Sequence, residues 1–170
     1  SITQPLGSRY DVPMDTLMHN FYSTDIPSSY STAYGTTGNL GAAAFSKIFF
    51  DRPLPSEFIF KDPFGHWIQT ASSWIFYNSH IPYTQLSYLT GGSKQTAQDD
   101  LKAVFSGNFN QKLEFGGSIN YILSRGHYQH QATKDLAYSI FGSYLGDRYD
   151  IQFFLNTYTV SYTHLTLPTI

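Results

Sequence analysis

Cysteine is absent from the 170 residues. Neither a disulfide framework nor a thiolate metal site can be built from this chain. Charge is scarce too: Asp, Glu, Lys and Arg make up 13%, against roughly 25% in a soluble globular domain. The charged coat of a water-soluble surface is therefore thin. No apolar run approaches the ~18–20 residues that a spanning helix needs. The mean hydropathy of −0.26, with abundant Ser, Thr, Asn and Gln, also argues against a bundle of membrane helices. Net charge is −2 and no basic cluster occurs, so nucleic acid is not an expected partner. No signal peptide stands at Ser1 and a starting Met is missing, as expected of a mature chain or an internal fragment.

Aromatic residues are abundant, at 18%, with 14 Tyr and 14 Phe. The length fits one domain or a piece of one. Residues 1–56 carry Pro5, Pro13, Pro27, Pro53 and Pro55 and a Ser/Thr/Tyr/Gly run over 23–41. They predict an irregular N-terminal segment with a short strand at 47–50. Residues 57–61, 70–78 and 84–90 read as short strands broken at Pro63 and Pro82.

Beyond residue 100 the spacing is period 2. One face reads Leu101, Phe105 and Phe109, then Leu113, Phe115, Ile119, Tyr121 and Leu123. It continues with Leu136, Tyr138, Ile140 and Tyr144, then Tyr149, Ile151, Phe153 and Leu155. The alternate face carries Lys102, Ser106, Glu114, Ser118, Asn120, Asp150, Gln152 and Asn156. Long connectors (91–100, 124–135) alternate with short ones (110–112, 145–148). A barrel inserted from one side has this asymmetry of rims. A strand of about 10 residues, tilted ~40°, spans roughly 25 Å, close to the apolar band of an outer-membrane barrel. Parity across the first short turn places Phe109 opposite Leu113, Gly107 opposite Phe115 and Phe105 opposite Gly117. Across the second it places Tyr144 opposite Tyr149.

The expected fold is therefore all-β: an antiparallel up-and-down meander, part of a transmembrane β-barrel, with about six to eight strands over 57–159. Residues 1–56 are expected in the lumen or the periplasm. The first face listed, apart from Phe109 and Leu136, supplies the lipid-facing candidates, and the alternate face supplies the pore-lining candidates. Small polar solutes and outer-membrane lipid are the expected partners.

Catalytic and metal patterns are weak. His127 and His130 sit three apart near Asp135, too few for a defined metal geometry. Asp99-Asp100 reads as a solvated pair. Ser124 with His127 lacks an orienting acid. Phosphate-loop, dinucleotide and HExxH patterns are missing. No enzyme activity and no cofactor are expected.

Several short pieces together resemble the putative porin family of Bacteroidota outer membranes. They are Asp15-Thr16-Leu17 with Asn20-Phe21, Gly38-Asn39-Leu40-Gly41 and Phe49-Phe50-Asp51-Arg52-Pro53. They continue with Phe76-Tyr77-Asn78, Pro82-Tyr83-Thr84, Leu86-Ser87-Tyr88, Gly91-Gly92 and Tyr144-Leu145-Gly146-Asp147-Arg148-Tyr149. The resemblance covers roughly residues 11–157. It implies a large bacterial outer-membrane β-barrel, a cleaved signal peptide and handling by the barrel-assembly machinery, of which this chain is an N-terminal fragment. Two departures stand out. The chain ends Pro168-Thr169-Ile170 rather than on a terminal aromatic residue, and residues 160–170 are similar to sequencing-adaptor read-through, so they are expected to be non-native. The functional expectation is passive diffusion of small polar solutes. The alternatives are a barrel with a plugged lumen that serves adhesion or assembly, and a soluble secreted β-sandwich that binds glycans.

Overall fold

The computed structural model describes residues 1–3, 9–12, 33–36, 38–52, 54–77, 81–110, 112–126 and 131–162. Four short strands come first: β1 (Ile2–Thr3), β2 (Arg9–Tyr10), β3 (Tyr34–Thr36) and β4 (Ala44–Ser46). They pair antiparallel as β1–β2 and β3–β4. Five long strands follow: β5 (Tyr83–Gly91), β6 (Gln98–Asn110), β7 (Leu113–Ser124), β8 (Thr133–Leu145) and β9 (Asp150–Tyr162). They form one antiparallel sheet in chain order, an up-and-down meander. β6, β8 and β9 have 13 residues each and β7 has 12, above the ~9–11 that a tilted strand needs to cross a bilayer.

The meander is all-β and antiparallel as expected, with five long strands among the described residues rather than six to eight. Residues 57–61 and 70–77 are not strands. Asp62 draws the chain into a turn there, its carboxylate accepting the Ser56 N–H (2.9 Å) and hydroxyl, and a 3-10 turn follows at Asp62–Phe64. The Ser73 N–H donates to Thr70 O over 3.1 Å, and the Ser73 hydroxyl accepts the Thr70 N–H. Such hydroxyl-closed turns compete with strand pairing. The strand expected at 47–50 lies three residues earlier, as β4, and Phe49–Asp51 is a 3-10 turn.

Register confirms two of the four expected cross-strand pairs. Gly107 faces Phe115 and Phe105 faces Gly117. A bulge between Asn108 and Asn110 makes Asn110, not Phe109, the partner of Leu113. The second short turn is shifted by two residues: Tyr144 faces Ile151, and Leu145 faces Asp150. Gly146 closes that turn, its N–H donating to Tyr149 O at 3.0 Å. A shift of two preserves the faces, because side chains alternate with period 2.

The rims are unequal. Residues 111–112 and 146–149 connect strands at one rim, 92–97 and 125–132 at the other. The two short turns are tied together. Lys112 Nζ meets Asp147 Oδ2 at 2.8 Å, and the Leu145 N–H donates to Lys112 O at 2.7 Å. The two long loops are tied by Arg125, whose N–H donates to Ala97 O at 3.0 Å. β9 pairs as far as Tyr162, opposite Thr133. The rest of the tail, with His127 and His130, falls outside the described residues.

Candidate functional site

The sheet is turned inside out relative to a soluble protein. In β8 the burial alternates residue by residue, and the buried positions are Thr133, Asp135, Ala137, Ser139, Phe141 and Ser143. Their neighbours Lys134, Leu136, Tyr138, Ile140 and Tyr144 are exposed. Ile140 is 40% exposed beside Phe141 at 0%, and Phe115 is 51% exposed beside Glu114 at 4%. Exposing the greasy face and burying the wet one would be costly in water, where burial of an Ile or Phe side chain is worth ~1.5–3 kcal/mol.

Each lipid-facing candidate lies on this outer face or at its rim. Phe105, Leu113, Phe115, Ile119, Tyr138, Ile140, Tyr144, Ile151, Phe153 and Leu155 are exposed there, and Leu101, Tyr121 and Leu123 are half-covered. Tyr149 is exposed in the short turn after β8. Cross-strand neighbours keep the face continuous: Leu101 faces Tyr121, Ile119 faces Tyr138 and Ile140 faces Leu155. A glycan-binding sandwich would bury this face under a second sheet; here the second layer covers the opposite face.

That second layer comes from the segment 38–77, which meets the inner face through residues 39–41 and 69–77. At its far end Trp74 and Phe76 pack on Phe141, with ring centroids 4.9 and 6.2 Å apart. Trp74 also meets Phe154 at 5.3 Å. Phe141 and Phe154 face each other across β8 and β9. They are the aromatic pair on a mostly polar face, and Trp74 and Phe76 cover them. Midway, Asn156 Nδ2 donates to Gln69 O at 2.9 Å, and Ser139 Oγ lies 3.3 Å from Gln69 Oε1. Near the long-loop rim, Asn39 Nδ2 donates to Gln131 O. Gly41, at φ +81, presses its backbone against Asp135; a Cβ there would lie 2.4 Å from Asp135 Oδ2. Only a residue without a Cβ fits both the left-handed conformation and the space. Trp67 braces this turn, its Nε1 donating to Ala42 O at 2.8 Å.

Glu114 anchors the short-turn end. Its Oε1 accepts the Tyr77 N–H at 2.6 Å and the Ser106 hydroxyl at 3.1 Å, and its Oε2 accepts the Ser143 hydroxyl at 2.8 Å. Burial, with Tyr83 and Glu114 close by, pushes the Tyr77 phenol up to about 12. Its ring stacks on Tyr83 at 4.8 Å.

The pore-lining candidates all point to this inner side, but in different surroundings. Ser106 and Glu114 are buried under Tyr77. Asn156 is bonded to Gln69. Lys102 reaches Asp100 Oδ2 at 2.9 Å. Ser118 lies between Val104 and Ser139, and Asn120 between Lys102 and Ala137. Gln152 faces Ser143, and Asp150 is exposed at the short-turn rim. Sequence reasoning missed Asp100, Asp135 and the covering residues Gln69 and Trp74; Ser139 and Ser143 fall on the alternate face of β8 by spacing, though they are not among the pore-lining candidates. Asp100 and Asp135 fall at the ends of the long connectors by sequence, although the inward alternation runs back through Lys102 to Asp100 and Gln98.

Long strands, an apolar outer face, a polar inner face and unequal rims define the wall of a membrane β-barrel. The chain belongs to the protein family described as "Putative porin", whose model matches residues 1–163. Membership implies a porin-like role in the bacterial outer membrane. No curated protein and no solved structure matches the chain.

Proposed function

We propose that this chain forms part of the wall of an outer-membrane barrel through which small polar solutes diffuse passively. The inverted burial of β8 carries the reading: apolar side chains outward, polar ones inward. An open sheet cannot stand in hydrocarbon, because every backbone amide there must be paired within the protein. Among the described residues β5 and β9 are the edges of the meander, so further strands close the barrel against them. The inner residues then set the local field and the hydrogen bonding of permeants. Lys102, Asn120 and Gln152 remain candidates for that role, whereas Ser106 and Glu114 serve to hold the segment 38–77 against the wall.

A second reading is favoured by that same segment. A strap along the inner wall narrows the lumen, and a fully occluded barrel would serve adhesion or assembly instead. Liposome swelling with the complete protein separates the two. Entry of small sugars at rates that fall with solute size supports diffusion. An inserted, folded barrel that admits none of them defeats it in favour of the occluded form.

A further inference from the structure

Four buried polar atoms on the inner face have no hydrogen-bond partner among the described residues: Asp100 Oδ1, Asn120 Oδ1, Ser124 Oγ and Asp135 Oδ1. The register gathers them around one side chain. Ile122 faces Asp100 on β6 and Asp135 on β8, and Asn120 and Ser124 are its same-face neighbours along β7. Buried polar groups are normally paired, because leaving one unpaired is costly. Three of the four are acceptors only, so what completes the set is a donor. A metal ion does not fit. The two carboxylates stand two strands apart with Ile122 between them, and no three or more His, Asp or Glu side chains converge among the described residues.

Asp100 also lines an open cavity of about 470 Å³ at the long-loop rim. That volume lies within the ~300–1,000 Å³ typical of small-ligand sites. Gln98 and Thr36 add groups that both donate and accept, and Leu40 and Leu89 add apolar surface. The Asp100 charge is already matched by Lys102, 2.9 Å from Oδ2, and the residue is 3% exposed. Its other oxygen therefore suits a neutral hydroxyl rather than a second cation. A carboxylate acceptor, mixed donor–acceptor groups and aliphatic surface together match the alternating O–H and C–H character of a carbohydrate.

We infer that this cavity binds an uncharged, polyhydroxylated, sugar-like solute, with Asp100 as its principal acceptor. The inference rests on the barrel reading, which makes this face the aqueous one, but binding can be measured apart from transport. The test is calorimetric titration of maltose into the complete protein in detergent, beside maltose flux into liposomes. Two variants probe the site. Asp100→Asn keeps the shape and removes the charged acceptor. Gly91→Leu fills the cavity, because a Cβ at Gly91 meets no atom within 4 Å.

Saturable maltose binding, weakened at least ten-fold by either variant and not displaced by the diamine putrescine, is the expected result. Three results would overturn the site: no saturable binding, affinity in both variants unchanged from that of the parent protein, or preferential binding of putrescine. Binding without flux keeps the site and defeats passive diffusion. Flux that rises linearly with maltose concentration, without binding, keeps diffusion and defeats the site.

Discussion

The Tyr77 backbone N–H donates to Glu114 Oε1 over 2.6 Å, joining the covering segment to the short-turn end of the barrel wall. The same carboxylate accepts the Ser106 and Ser143 hydroxyls from the neighbouring strands. Glu114→Ala leaves three donors without their acceptor, and each buried unpaired group costs ~1–3 kcal/mol. The segment 74–77 should detach before the sheet does. Hydrogen exchange should show lost protection at Phe76 and Tyr77 with β7 and β8 still protected. Glu114→Gln retains an acceptor oxygen and should lose much less.

Gly116 and Gly107 should answer differently to the same substitution. A Cβ at Gly116 would lie 2.4 Å from both Phe105 O and Phe141 Cζ. A Cβ at Gly107 would meet only the Phe105 ring, at 3.6 Å. Overpacking typically costs ~1–3 kcal/mol, so Gly116→Ala should lower the denaturant midpoint of the folded barrel and Gly107→Ala should leave it nearly unchanged.

Ile119 and Ser118 are adjacent on β7 and point to opposite sides. Ile119→Arg places a cation on the outer face near mid-strand, where it costs ~2–4 kcal/mol in lipid. Insertion into vesicles, followed by protease protection, should fall. Ser118→Arg should insert normally and change single-channel conductance. Equal insertion defects in both would refute the assignment of faces.

His66 gives the covering segment a pH dependence. Its ring stands edge-on to Tyr34, with centroids 4.4 Å apart. Burial lowers its pKa from the ordinary 6.5. The unfolded site then binds the proton more readily than the folded one. The stabilisation from neutral His66 is full above about 6.5 and is lost as pH falls below it towards the folded value. Proteolysis within 33–67 should therefore quicken as pH drops through the histidine range, and His66→Gln should flatten that dependence.

The strands were legible where their two faces differ in kind. β7 and the middle of β8 alternate without interruption, so both their faces and the Gly107–Phe115 pairing follow from spacing alone. The ends of β6 and β8 were not legible. Asp100 and Asp135 look like loop residues, because a polar inward face has the composition of a loop. The covering segment was misread for a related reason. Trp74 and Phe76 alternate like a strand because they lie along a wall, and the hydroxyl-closed turn at 70–73 is the local sign that pairing there goes no further than an isolated bridge between Ile2 and Ile75. Phe141 and Phe154 held the missing signal: two aromatic rings on a mostly polar face need a cover, though spacing does not say which segment supplies it.

The native chain has no cysteine, so one introduced thiol reports one position. Single variants Ile119→Cys, Ile140→Cys and Leu155→Cys on one face, and Lys102→Cys, Ser118→Cys and Gln152→Cys on the other, can carry a fluorophore in proteoliposomes containing brominated lipid. The account predicts quenching by the lipid at the first three and by aqueous iodide at the second three. Lipid quenching at 102, 118 and 152, or iodide quenching at 119, 140 and 155, would contradict it.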